Sequence, residues 1–84
     1  MSFAGFPKAT EDYITNLSDM LNVWKSILSQ KEIQDYQILI QNLRSDFTTA
    51  TKTRNFQLLM DVSKRASKSH GNILLLIEQR RSKS

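Results

Sequence analysis

The chain has no cysteine, one proline, two glycines, one histidine and one tryptophan among 84 residues. Without cysteine there is no disulfide framework, no thiolate nucleophile and no Cys-type zinc site, so a chain this small must be held together by packing or by a partner. The single histidine, His70, is followed at i+3 and i+4 by Ile73 and Leu74, where a helical metal site would need another histidine or a carboxylate. No Gly-x-Ser-x-Gly elbow or phosphate-cradling glycine loop surrounds the serines and threonines. The carboxylates Glu11/Asp12 and Glu32/Asp35 fall at expected helix starts, where the helix dipole explains them without acid/base work. The expectation is therefore no enzyme, no catalytic residue, no metal and no cofactor. Long apolar runs are also missing: the longest is Ile73-Leu74-Leu75-Leu76-Ile77, far short of the ~20 residues that span a bilayer. No transmembrane insertion is expected. The opening Met1-Ser2-Phe3-Ala4-Gly5-Phe6-Pro7-Lys8 lacks the basic and apolar regions of a secretory signal, which points to an intracellular location.

What is present is helical periodicity. Apolar residues are 39% of the chain and charged residues 24%, the balance of a foldable, loop-poor domain. Thr10 reads as an N-cap, and Ile14, Leu17, Leu21, Trp24 and Leu28 follow at alternating spacings of three and four, a heptad seam that places Trp24 at the centre of the core. Tyr13, Met20 and Ile27 form a second row beside it, wide enough to face two neighbouring helices. Ser29-Gln30-Lys31-Glu32 has the form of a capping box, flanked by Leu28 and Ile33 as a hydrophobic staple, so the chain turns sharply at Ser29. Ile33, Tyr36, Ile40, Leu43, Phe47 and Ala50 repeat the seam, with Ile38 off that face. Beyond Ala50 the register fails among threonines of low helix propensity, which predicts a loop at about residues 51–54. Leu59, Val62, Ala66, Ser69, Ile73 and Leu76 make a third seam, one turn after Phe56.

The resulting fold is all-α: a single-domain antiparallel three-helix bundle with helices at about 11–28, 30–50 and 55–80, an N-terminal extension at 1–9 and a flexible tail at 82–84. Gly71 admits two readings. Either the third helix runs straight with Gly71 on its outer face, at a cost of about 1 kcal/mol relative to alanine, or Gly71 ends it and Asn72 caps a short fourth helix. The unbroken heptad register favours the first. The plan resembles the antiparallel three-helix modules of spectrin repeats, syntaxin N-terminal domains and GAT domains. That likeness is one of architecture and carries no binding residue to this chain.

Function is expected on the third helix, for two reasons. Residues 1–50 hold four bases and six acids, net −2, whereas residues 51–84 hold eight bases and two acids, net +6. The third helix is also the longest, so its C-terminal end is expected to overhang the Ser29 turn. There Ile73–Ile77 cover every side of a helix at 100° per residue, and a two-sided contact cannot bury them all. Leu74, Leu75 and Ile77 are thus the candidate protein-binding residues, for a partner helix or a homo-oligomer. Lys64, Arg65, Lys68, Arg80 and Arg81 form a basic set whose alternative use is binding nucleic acid or another polyanion. The tight hairpin at Ser29 is not a helix-turn-helix, and no zinc finger or RNA-recognition motif is present, so nucleic acid ranks second.

Overall fold

A computed structural model describes residues 5–83 as three helices, α1 (Gly5–Trp24), α2 (Gln30–Lys52) and α3 (Phe56–Lys83), with a 3-10 turn at Lys25–Ile27 between the first two. The helices pack against one another in an antiparallel bundle 45 × 22 × 16 Å. Its interior is the set of seams: Ile14, Leu17 and Leu21 of α1, Ile40 and Leu43 of α2, and Val62, Ala66, Ile73 and Ile77 of α3, closed by Leu28. Ile38 is exposed, as its place off the seam requires.

The connections show why each helix stops. At Ser29 both halves of the capping box are made: the Glu32 N–H donates to Ser29 Oγ at 3.1 Å, and the Ser29 N–H donates to Glu32 Oε1 at 2.8 Å. The α-helix before it ends sooner than the seam suggests, at Trp24, and the chain tightens through the 3-10 turn before Leu28 adopts an extended conformation. At the other end, α2 runs through Ala50 to Lys52, two residues beyond expectation, and its threonine hydroxyls bond back to carbonyls of the preceding turn. Thr51 Oγ1 donates to the Phe47 and Thr48 carbonyls at 3.1 Å each, and Thr53 Oγ1 to the Thr49 carbonyl at 2.7 Å. The helix then closes in a Schellman arrangement in which the Asn55 N–H donates to Ala50 O at 2.9 Å and Arg54 takes the left-handed position with φ 54°. Asn55 also caps α3, its Oδ1 accepting from the Leu58 N–H at 3.1 Å.

Several expectations need correction. Helix α1 begins at Gly5, within the stretch expected to be an extension; residues 1–4 lie outside the described residues. Pro7 sits in its first turn, where a missing N–H costs nothing. Thr10 is therefore not a cap but a fully buried seam position one turn before Ile14. Glu11 and Asp12 are mid-helix partners of Lys8, at 4.0 and 3.4 Å, rather than first-turn carboxylates. Ser82 and Lys83, expected as tail, continue α3, and Ser84 lies outside the described residues. Trp24 is half-buried rather than central, because the α-helix stops there and its ring lies at the edge of the bundle under the Arg81 guanidinium, 5.2 Å from the ring centroid. Tyr13 and Phe56, also placed on apolar stripes, are exposed.

Gly71 lies inside an unbroken α3 on its outer side. Its φ is not positive, and a Cβ built there meets nothing within 4 Å. Neither backbone geometry nor packing within the chain requires glycine at this position, although it carries a helix-propensity cost of about 1 kcal/mol.

Candidate interaction surface on the third helix

Because α1 and α3 run in the same direction, level positions can be read from two side-chain pairs. The Tyr13 and His70 rings meet edge to face at 6.1 Å, and Arg81 lies over Trp24. Both pairs have the same sequence offset, so the helices are in one fixed register. Arg80 reaches Glu32, in the first turn of α2. The C-terminal part of α3 is thus flanked by α1 and α2 as far as Arg81, and the expected overhang beyond the Ser29 turn is absent. The earlier start of α1 and its 3-10 extension supply the length missing from the helix expected at about 11–28.

The apolar run is nevertheless split as helical geometry demands. Ile73 and Ile77 point into the core, Leu76 is half-buried, and Leu74 and Leu75 remain 45% and 64% exposed. Ile77, at 4% exposure, is a core residue and drops out of the candidate surface. The reason is periodicity: Ile77 lies one turn after Ile73 and takes the core place the seam gave to Leu76, whereas Leu74 and Leu75 are turned roughly 100° and 200° from Ile73. Among the described residues no segment folds back to cover the two leucines.

The basic set is divided by ion pairing. Arg65 Nη2 donates to Asp46 Oδ2 at 2.7 Å, bridging α3 to α2, while its Nε lies 2.9 Å from Asp61 Oδ2 in an ion pair not aligned as a hydrogen bond. The Asp46 hydrogen bond is the main cause that raises the Arg65 pKa above its usual value, against the opposing effect of partial burial. Arg80 is held by Glu32, which also helps burial raise the Tyr36 phenol above its ordinary pKa. Both pairs cross from α3 to α2 in the register the packed helices adopt, and sequence spacing alone gave no sign of them. Lys64 and Lys68 differ: both are exposed, and neither forms an ion pair with a described residue. Of the five basic candidates, Arg65 and Arg80 act within the fold, Arg81 covers Trp24, and only the two lysines face solvent without a carboxylate.

Elsewhere the surface offers little chemistry. A hollow of about 380 Å³ between α1 and α2 is lined by Ser18, Leu21, Asn22, Gln37, Ile40 and Gln41, none of them titratable. Among the described residues no cluster of three or more His, Asp or Glu could hold a metal ion, and no helix is long and apolar enough to cross a membrane. Comparison with protein-family models, with curated proteins and with solved structures gives no match to this chain.

Proposed function

We propose that this protein is a non-enzymatic interaction module, a helical bundle that docks a partner helix or another copy of itself through the outer face of α3 around Leu74 and Leu75. The observation that carries this reading is the pair of adjacent leucines held half to two-thirds exposed in the middle of a continuous helix. They are not at a fraying end, where exposure would cost little. A rigid helix that presents two large aliphatic side chains to water is a surface suited to burial on binding. The alternative, binding of nucleic acid or another polyanion along the basic face, has weaker support, since Arg65 and Arg80 are committed to carboxylates.

Leu74→Asp combined with Leu75→Asp tests the reading. The immobilised wild-type protein is expected to retain binding proteins from its source cells that the double variant loses, while the circular dichroism of the two proteins is the same. Equal retention by both would overturn it.

A further inference from the structure

The outer face of α3 is the side opposite its core seam, and Met60, Lys64, Ser67, Gly71, Leu74 and Glu78 follow one another along it at spacings of four and three. All six are exposed, with Lys68 and Leu75 beside them. The pattern is antisymmetric about Gly71. One heptad before it stands Lys64 and one heptad after it Glu78, charges of opposite sign, and neither forms an ion pair with a described residue. Three and four residues before Gly71 are Lys68 and Ser67; three and four after it are Leu74 and Leu75.

From this arrangement we infer that the occupant of the leucine surface is a second copy of the same chain, its α3 packed antiparallel on the first, with the two-fold axis through Gly71. This rests on the interaction-module reading above and commits it to one occupant. In such a pair, residues equidistant from Gly71 meet. Lys64 faces Glu78 of the second copy, and Glu78 faces its Lys64. Leu75 lies on Ser67, and Leu74 lies along the aliphatic stem of Lys68, which keeps its ammonium in water. A two-fold axis makes the contact self-complementary, as a closed dimer requires. The parallel alternative would set lysine on lysine and glutamate on glutamate, which charge disfavours. A polyanion is a poorer occupant because the stripe ends in Glu78. Gly71 then has a reason to be glycine: on the axis, the absence of a Cβ lets two helix backbones approach closely, whereas among the described residues nothing lies within 4 Å of a Cβ built there. A single pair of helices buries a small area, so the association belongs to the weak, concentration-dependent class.

The test is sedimentation equilibrium of the purified protein from micromolar to millimolar concentration. A monomer–dimer equilibrium is expected for the wild type, weakened roughly tenfold or more in Lys64→Glu and in Glu78→Lys, each of which sets like charges together twice across the axis. Mixing those two variants, or combining both changes in one chain, restores opposite charges and is expected to restore association. A monomer throughout the range would overturn the inference, and so would a dimer indifferent to both charge reversals. Neither result would overturn the broader reading, which falls only if the Leu74→Asp/Leu75→Asp variant retains the same binding proteins as the wild type.

Discussion

Leu17→Ala is expected to lower the unfolding free energy by about 3 to 5 kcal/mol, the range for a fully buried leucine whose cavity cannot collapse. Leu17 is fully buried in the core cluster and belongs to the seam by which α1 meets its two neighbours. A chain of 84 residues has a total stability of roughly 4–13 kcal/mol at the usual 0.05–0.15 kcal/mol per residue. This single truncation therefore removes a large share of the whole, and no disulfide limits the loss. Urea unfolding followed by circular dichroism measures it. A midpoint within error of the wild type would mean that α1 is not packed as described.

The second large effect is a contrast between near neighbours. Ile77→Asp places a carboxylate in the apolar interior, where it must either ionise without a partner or take up a proton, and the expected destabilisation is about 4 kcal/mol or more. Leu75→Asp, two residues away, puts the same group into solvent and is expected to change stability by no more than about 0.5 kcal/mol in the dilute protein. The same unfolding experiment reads both. Equal effects would mean that the run Ile73–Ile77 is either wholly buried or wholly exposed, and the division of its residues between core and contact surface would fail.

How far this division was legible in the sequence depends on the scale of the signal. The seams are local, and they located the core: Leu17, Leu43, Val62 and Ile73 are all fully buried. The capping box at Ser29 is a four-residue pattern with its own hydrogen bonds, and it formed as written. Continuity through Gly71 followed from an unbroken register and proved correct. Errors arose where a residue's role depends on distant structure. Thr10 is polar and precedes acidic residues, so it resembles a cap, yet its spacing of four from Ile14 was the better guide. Pro7 lies in the stretch expected to be an extension and is a helix-start residue. Arg54 hides a Schellman turn because the left-handed position is filled by arginine rather than glycine.

The candidate surface was half legible for the same reason. Exposure of Leu74 and Leu75 follows from helical rotation alone, and the sequence identified both. The assignment of Ile77 as a contact residue failed because the five-residue apolar run was read as a whole, although the spacing of four from Ile73 already turns Ile77 inward. The basic set failed in part because the pairings of Arg65 with Asp46 and Arg80 with Glu32 join residues far apart in the chain, through a register fixed by loop and helix lengths. Lys64 and Lys68 face solvent on the same helix as the exposed leucines.

The absence of cysteine allows a direct test of the claim that the outer face of α3 is a contact surface centred on Gly71. A Gly71→Cys variant carries a single thiol, and on the two-fold axis of an antiparallel pair two such residues approach within the roughly 7 Å between Cα atoms that a disulfide tolerates. Mild oxidation at millimolar concentration is expected to convert this variant to a covalent dimer, while Asn72→Cys, exposed on the same helix but turned away from the stripe, stays monomeric. Equal cross-linking at both positions, or none at 71, would contradict the account.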